Sequence, residues 1–411
     1  MFTLLLSIVL KFDFSEQITE KLKLVGKKGF EVEIDKLKIK KYFKMKRLLF
    51  LLLSICFVSI KAQKTKEIKL EQKFWEQKEG TTALFQKFKG REAVQLNGEL
   101  AISNFELREG TISIDVFCSD ERSFAGVFFH QSTGNREDVY IRQHKSNQVD
   151  AVQYTPVFNF ESNWQLYNEH QAQVKFNLNQ WNTIKVEFNE TQAVVFINNN
   201  KALNINKLKG ISNTGKIGLW SLFPSWISNV RVAHKKVEIK AEASMLKKEE
   251  NDYIKSWRIS ESFLIDKIDN LLKTEKSIPF RKVKADENGL LAISKYSSKK
   301  SRGSFEKNVE DFVIIEIDVI SEIKTTKKIS FDFSDKCIVL LNSNEIYRGN
   351  NAFKLKGSQF MGHINTEANT LNLPLNKGKN VLRFYVIEKA NGWGLKARFH
   401  NYQNIKVVSN N

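Results

Sequence analysis

The chain has 411 residues, of which 42% are hydrophobic and 27% are charged, a composition typical of folded rather than disordered proteins. This length suits two domains, and no run reaches the roughly 20 apolar residues that a membrane-spanning helix needs. The formal net charge is +19, of which +12 remains when residues 1–62 are set aside. Because the remaining lysines are spread over turns and strand faces, the sequence lacks the clustered basic patch of a nucleic-acid-binding protein.

Residues 45–62 have the three parts of a secretory signal peptide. Lys46 and Arg47 form a basic start, residues 48–60 are an apolar run, and a small residue lies near the end. A signal peptide belongs at a true N-terminus, so we expect residues 1–44 to be an extension produced by a start codon assigned too early. The remainder is then expected to be secreted or periplasmic, and association with the cell surface stays open.

The three cysteines do not indicate a disulfide framework. Cys56 lies inside the predicted signal peptide, and the bulky Ile55 before it argues against lipidation. Cys118 and Cys337 fall in different predicted domains, so we expect both to be buried free thiols.

Short strands separated by turns dominate residues 63–237, the predicted first domain. The clearest pattern is a hairpin within residues 181–203, with a turn at 189–191. Its apolar positions are expected to face each other across the two strands: Ile184, Val186 and Phe188 on the first, and Ala193, Val195 and Ile197 on the second. Period-two alternation at this regular spacing predicts an all-β sandwich.

Several strings of the first domain resemble a known family. They are GVFFHQ, VYIRQ, WNTIKVEF, GKIGLW and SNVRV, in that order along the chain. Together they resemble the concanavalin-A-like jelly roll of laminin-G-type modules, and they are similar to the bacterial 3-keto-disaccharide hydrolase domain. The resemblance implies a jelly roll that engages carbohydrate.

A charged segment, residues 238–256, is the predicted linker to a second β-sandwich over residues 257–411. The second domain is expected to open with a short amphipathic helix over 262–277, capped by Ser262. Its apolar face would be formed by Leu264, Ile265, Ile268, Leu271 and Leu272. LNKGKNVLRFYV followed by GWGLKARF resembles the galactose-binding-like sandwich that is appended to many secreted glycosidases.

The best candidate for a ligand site is a strand face of the first domain. Tyr140, Arg142 and His144 fall on one face at spacings of two residues. Aromatic rings stack on the apolar faces of sugars, while arginine, amide and histidine groups bond the hydroxyls. The predicted ligand-binding set is completed by His130, Gln153, Tyr154 and Trp164 nearby, and by Trp393 in the second domain.

Catalytic signatures are weak by comparison. If the chain is an enzyme, Asp115, Asp138 and Asp150 are the candidate carboxylates of the first domain. Glu316, Asp318 and Glu322 lie near the spacing of family-16 glycoside hydrolases, but the interval after the aspartate is too long, and we interpret them as the polar face of a strand. The six histidines show no metal-ligand spacing, so we expect no metal site and no cofactor, with calcium binding left open.

Three functions therefore stay open. The leading hypothesis is a secreted carbohydrate-binding protein, accessory to polysaccharide or glycoconjugate use. A glycoside hydrolase of the 3-keto-disaccharide or family-16 type would need two carboxylates facing each other across the groove. An adhesion or structural protein would show an apolar patch and no groove. The sequence does not indicate the oligomeric state.

Overall fold

The structure, a computed structural model, describes residues 65–241, 252–273, 278–301 and 309–409. The predicted N-terminal extension, the predicted signal peptide and most of the predicted linker lie outside the described residues. What is described is all-β, with two sandwich regions and one short helix at the start of the second, so the expected fold class is confirmed. None of the described helices has the length and apolar character needed to span a membrane.

The first sandwich contains fourteen strands and four short 3-10 turns. The strands are β1 (Lys66–Glu67), β2 (Trp75–Gln77), β3 (Thr82–Phe88), β4 (Arg91–Leu107), β5 (Gly110–Cys118), β6 (Phe124–Ser132), β7 (Asn135–Arg142), β8 (Val152–Phe158), β9 (Glu161–Ser162), β10 (Gln171–Ala172), β11 (Gln180–Phe188), β12 (Ala193–Ile197), β13 (Asn200–Ile205) and β14 (Gly215–His234). The 3-10 turns are Gln72–Phe74, Gln143–Lys145, Trp164–Leu166 and Asn168–His170.

Two long strands, β4 and β14, link the two layers of this sandwich. The first half of β14 pairs with β6, and its second half pairs with β5, while β4 runs alongside it. We call the layer β10-β8-β7-β6 with the first half of β14 the front sheet, and the second half of β14 with β5-β11-β12-β13 the back sheet. Apolar side chains from both layers, such as Val127 and Val139 in front and Ile112 and Ile184 behind, form one core.

The predicted hairpin of the first sandwich is confirmed residue by residue. Ile184 pairs with Ile197, and Phe188 pairs with Ala193 across the turn. Asn189 stabilises that turn because its side-chain oxygen accepts hydrogen bonds from the backbone amides of Thr191 and Gln192.

The described part of the second sandwich, residues 252–273, 278–301 and 309–409, contains twelve strands and one α-helix. The strands are β15 (Ser256–Ile259), β16 (Phe263–Leu264), β17 (Arg281–Lys284), β18 (Leu291–Ala292), β19 (Asp311–Ser321), β20 (Thr325–Ser334), β21 (Lys336–Leu341), β22 (Asn344–Asn350), β23 (Asn369–Leu375), β24 (Gly378–Glu388), β25 (Gly394–Phe399) and β26 (Ile405–Val408), and the helix is α1 (Ile268–Lys273). Two 3-10 turns, Ile265–Lys267 and Ile293–Lys295, flank these elements.

An eight-stranded sheet, ordered β17-β15-β19-β24-β21-β22 with β16 and β26 beside β19, faces a four-stranded sheet, β18-β25-β20-β23. Their shared core is rich in aromatic rings, including Trp257, Phe331 and Phe384. The outer face of the larger sheet carries a second apolar cluster, with Phe312 and Tyr385, which α1 covers. The strand β19 is therefore buried on both faces over much of its length.

The predicted helix over 262–277 is shorter than expected. Phe263 and Leu264 pair with β19 instead of forming a helical turn, and α1 begins only at Ile268. Ser262 does not cap the helix, because its hydroxyl donates to the backbone carbonyl of Ser298, 2.6 Å away. The predicted apolar face is otherwise correct, since Ile268 and its neighbours pack on the outer cluster of the larger sheet.

Both described cysteines are free and buried, as predicted. Cys118 lies in the core of the first sandwich, and Cys337 lies in the core of the second. Both side chains are 0% exposed, so they act as small apolar groups in the core rather than as reactive thiols.

The two sandwiches contact each other through both apolar and polar groups. Phe158 and Leu166 of the first pack with Leu290 of the second in a small buried cluster. Beside it, the hydroxyl of Ser294 donates to the side-chain oxygen of Asn163 at 2.5 Å. Such fully paired polar contacts fix the register of the contact, while the apolar cluster supplies burial.

Candidate functional site

The outer face of the front sheet carries the polar side chains of β7. Alternation along the strand directs Val139 into the core, so Asp138, Tyr140 and Arg142 lie on the outer face. These three residues are only 3–4% exposed. The segment after β8 covers part of this face, and the carbonyl of Trp164 in that segment accepts a hydrogen bond from the side chain of Gln153.

A row of ion pairs crosses one end of this face. Arg136 lies 2.5 Å from Glu99 and 2.7 Å from Asp138, and its guanidinium lies over the ring of Phe128 at 5.0 Å. Burial raises the pKa of Asp138 to about 6, although Arg136 acts in the opposite direction. Burial also acts to raise the pKa of Glu99, but the charges of Arg136 and Lys78 outweigh it and the pKa is lowered.

Arg142 is the centre of the face. Its guanidinium lies between the rings of Tyr140, 5.2 Å away, and Trp164, 5.6 Å away. It donates to the backbone carbonyl of Asp150 at 2.7 Å, to the hydroxyl of Tyr140 at 3.2 Å and to the side-chain oxygen of Gln153. The side chain is therefore held in place by three hydrogen bonds, with its positive charge close to two rings.

Further aromatic rings continue from Tyr140 toward solvent. Trp220 meets Tyr140 edge to face at 5.0 Å, and Phe124 lies 6.3 Å from Tyr140. Phe124 in turn lies 5.2 Å from His144 and 6.4 Å from Phe223, which is 42% exposed. We call the surface formed by Tyr140, Arg142, Trp164, Trp220, Phe124 and their immediate neighbours the front groove.

The second sandwich forms the far end of the front groove. The indole nitrogen of Trp164 donates to the side chain of Asn391 at 3.0 Å. The ring of Trp164 also meets Phe353 at 5.5 Å and His363 at 6.0 Å, both edge to face. Burial and the nearby charge of Arg142 lower the pKa of His363, so this imidazole is neutral near pH 7.

Several polar atoms of the front groove are buried but find no hydrogen-bond partner among the described residues. They are His144 Nδ1, Asp150 Oδ2, Trp220 Nε1 and His363 Nε2. Asp150 Oδ2 has only distant charge contacts, 3.8 Å from Arg142 and 4.0 Å from Lys145. Buried polar atoms are normally paired, and a polar ligand could complete the hydrogen bonding of these four, although six other buried side-chain atoms of the described residues, Trp181 Nε1 among them, also lack a partner.

Five of the residues predicted from sequence come together here: Tyr140, Arg142, His144, Gln153 and Trp164. Two others do not, because they lie on the core side of their strands. Tyr154 pairs with Val139 and belongs to the core. His130 would face outward by simple alternation, but a register shift after Phe129 and a φ of 51° turn it, and its ring packs on Phe129 and Phe188.

Trp393 is not part of the front groove either. It is 1% exposed in the core of the second sandwich, and its indole nitrogen donates to the carbonyl of Val386 at 3.0 Å. The glycines around it serve the contact between the sandwiches, because a Cβ at Gly394 would lie 2.6 Å from Leu166 of the first sandwich. Trp393, predicted as part of the ligand-binding set, is therefore a core residue beside a close approach of two chain segments.

The candidate carboxylates lie in different places. Asp138 adjoins the front groove, but both of its oxygens accept hydrogen bonds from Arg136. Asp115 lies on the opposite face of the sandwich, on the outer side of the back sheet, where it pairs with Arg91 at 2.6 Å. Asp150 is the candidate that keeps an oxygen without a hydrogen bond, as described above.

Two of the three candidate carboxylates of the second domain, Glu316 and Asp318, are ion-paired strand residues. Glu316 and Asp318 lie on β19 within 3.0 Å of the buried Arg258. Glu322 lies just beyond the end of β19. Among the residues that the structure describes, no group of three or more His, Cys, Asp or Glu side chains could hold a metal ion.

Sequence reasoning missed several residues of the front groove. Trp220 lies half-buried on the outer face of β14. The contributions of Phe353, His363 and Asn391 come from loops that lie more than 180 residues beyond Trp164 along the chain. Only Trp220 carried a usable signal, since strict alternation from Leu219 would have placed it outward.

Comparisons with known proteins agree with this architecture. Residues 66–240 match the family described as 3-keto-alpha-glucoside-1,2-lyase-like domain. No curated protein matches the chain.

Similar solved structures include three carbohydrate-related proteins. The carbohydrate-binding module CBM66 from Bacillus subtilis is 12% identical, with 38% of this chain and 92% of that chain covered and a TM-score of 0.29. Domain 4 of the extracellular arabinanase AbnA from Geobacillus stearothermophilus, in complex with arabinotriose, is 12% identical, with 43% and 83% covered and a TM-score of 0.27. The β-glucanase of Bacillus licheniformis is 9% identical, with 43% and 100% covered and a TM-score of 0.31. By its family match and its strand order, residues 66–240 form a concanavalin-A-like jelly roll similar to the 3-keto-α-glucoside-1,2-lyase-like domains, and a second β-rich region follows it.

Proposed function

We propose that this protein binds carbohydrate in the front groove, as an accessory to polysaccharide or glycoconjugate use. The observation that carries the proposal is the position of Arg142, a fixed cation between the rings of Tyr140 and Trp164. Sugars present apolar C–H faces and hydroxyls at the same time, and they need rings and polar groups side by side.

The polar atoms without partners support the same ligand class. Trp220 Nε1 is a donor, Asp150 Oδ2 is an acceptor, and the imidazoles of His144 and His363 can be either. A hydrocarbon ligand would leave all four unpaired, at a cost of about 1–3 kcal/mol for each buried group. A ligand rich in hydroxyls can pair them, because each hydroxyl both donates and accepts.

The setting we propose is outside the cytoplasm, on the basis of the signal-like segment at residues 45–62. In this proposal the second sandwich, for which we propose a galactose-binding-like fold, is an appended module of the kind found in secreted glycosidases. Its strings LNKGKNVLRFYV and GWGLKARF are the support for that assignment.

A second candidate function is elimination on an oxidised sugar, and the family match over residues 66–240 favours it. The proton on C2 of a 3-keto-glucoside is acidic because it lies next to the ketone. A base removes this proton, the electrons of the C2–H bond form a C1–C2 double bond while the C1–O bond breaks, and the departing alkoxide takes up a proton from water. Asp138 is the candidate base, because burial raises its pKa to about 6, close to the pH at which a general base works well.

One experiment separates the two functions. The purified protein is tested for retention on immobilised β-glucan, arabinan and levan, and it is incubated with p-nitrophenyl 3-keto-α-glucoside. Retention without release of p-nitrophenol supports the binding function. Release that is lost in Asp138→Asn supports the lyase. If neither retention nor release occurs, both candidates are wrong and protein adhesion becomes the leading function.

A further inference from the structure

A continuous row of rings runs from the first sandwich onto the second. Phe223 and Phe124 lie at one end, and Tyr140 and Trp164 flank Arg142 in the middle. Phe353 of the second sandwich lies at the other end, and each group is 5.2–6.4 Å from the next. The row is therefore longer than a single ring stack and crosses the boundary between the domains.

We propose that the loop 351–364 of the second sandwich is part of the ligand site, so that the site takes an extended chain of several sugars. The inference rests on the proposed carbohydrate binding and adds the ligand's length and the second domain's role. A monosaccharide would need only the pair of rings around Arg142, and the outlying Phe223 and Phe353 would be superfluous.

His363 is the residue of this loop that most directly indicates a ligand. Its ring faces Trp164, and its Nε2 is buried without a hydrogen-bond partner within the described part of the chain. Asp150 Oδ2, the unpaired acceptor of the first sandwich, is close enough to His363 to act on its charge. A bound sugar hydroxyl that pairs with His363 therefore lies beside Trp164, at the place where the two sandwiches meet.

The loop is held against the front groove by hydrogen bonds that do not use His363 Nε2 or Asp150 Oδ2. The side-chain amide of Gln165 donates to the carbonyl of Met361 at 2.6 Å, and Trp164 is anchored to Asn391. A contact between domains that served only for cohesion would be expected to pair its buried polar atoms, whereas both His363 Nε2 and Gln165 Oε1 lack a partner among the described residues. Here cohesion is supplied by neighbouring contacts, and His363 is left available.

The test uses the full chain and β-1,3/1,4-gluco-oligosaccharides and arabino-oligosaccharides of two, four and six sugars, with affinities measured by calorimetry. Wild type is expected to bind the six-sugar fragment of one series about tenfold more tightly than its two-sugar fragment. Phe353→Ala and His363→Ala are expected to remove most of this gain, so that each variant binds the six-sugar fragment about as tightly as the two-sugar fragment. Phe360→Ala is the matched control, because Phe360 lies in the same loop but is not in the row of rings. Its ring contacts the ammonium group of Lys356 at 4.9 Å instead.

The outcomes separate the two proposals. If fragments bind but length brings no gain, or if the gain persists in Phe353→Ala and His363→Ala, the second sandwich is not part of the site and the inference is wrong. If Phe360→Ala loses the gain equally, the effect is one of loop structure and the inference is again wrong. If wild type binds no fragment at all, carbohydrate binding itself is contradicted.

Discussion

Replacing Glu137 by glutamine is expected to stabilise the protein above neutral pH. Glu137 lies on the core side of β7, 1% exposed, at the edge of an open cavity of about 490 Å³ outside the front groove. Its carboxylate accepts hydrogen bonds from the hydroxyl of Tyr154 at 2.8 Å and from the amide of Gly210 at 2.7 Å. Burial nevertheless raises the pKa of Glu137 from 4.5 to about 7.

The magnitude follows from that difference in pKa. A carboxyl whose pKa is raised by folding contributes most stability below its unfolded pKa and loses it as the pH rises toward its folded pKa. Between pH 5 and pH 8, a rise from 4.5 to about 7 corresponds to a loss of about 2.5 kcal/mol of unfolding free energy. Glutamine does not titrate, and its amide can donate to Tyr154 while its oxygen accepts from Gly210, so Glu137→Gln escapes this loss.

Urea unfolding of wild type and Glu137→Gln at pH 5 and pH 8 measures the effect. The unfolding free energy of the variant relative to wild type is expected to increase by about 2.5 kcal/mol between the two pH values. Glu190→Gln, which changes an exposed acid of the same cavity, is the control and is expected to change by less than about 0.5 kcal/mol. A variant that is less stable than wild type at pH 8 would show that the two hydrogen bonds outweigh burial.

Two further predictions concern buried groups. Arg258→Met leaves two acidic partners on β19 without their shared cation, and we expect the unfolding free energy to fall by about 3 kcal/mol. The exposed Arg348→Met is the control and should cost less than about 1 kcal/mol. Equal effects of the two substitutions in a urea titration would contradict this account. Burial raises the pKa of Cys118 to about 12 and that of Cys337 well above its ordinary value. Neither thiol should therefore react with iodoacetamide at pH 8 until urea unfolds the chain, and labelling of the native protein found by peptide mass mapping would refute this prediction.

Much of the fold was predictable because alternation is a local property. The hairpin β11–β12 follows from apolar residues at every second position and an asparagine turn, and its register was correct. The helix at the start of the second domain was predicted too long, because the pattern of Phe263 and Leu264 suits both a helix and a strand. Pairing with β19 decides between them, and that pairing depends on a strand almost 50 residues further along the chain.

The candidate site was predictable only in its central part. Tyr140, Arg142 and Trp164 were found because spacing and residue type suffice to suggest a polar face with rings. His130 was misplaced because a bulge in β6 interrupts the alternation, and sequence alone gives no sign of it. The contribution of His363 could not be predicted, because it depends on how two domains pack.

The central claim is that the front groove binds carbohydrate, and affinity electrophoresis through gels containing β-glucan, arabinan or levan tests it most directly. Trp164→Ala and Trp220→Ala remove rings of the groove, whereas Trp181→Ala removes a comparable half-buried ring, stacked with Arg91 at 5.0 Å, from the outer face of the back sheet. We expect wild type and Trp181→Ala to be retarded by the same polysaccharide, and Trp164→Ala and Trp220→Ala to migrate as in a gel without it. Equal retardation of all four proteins would place binding elsewhere and contradict the account.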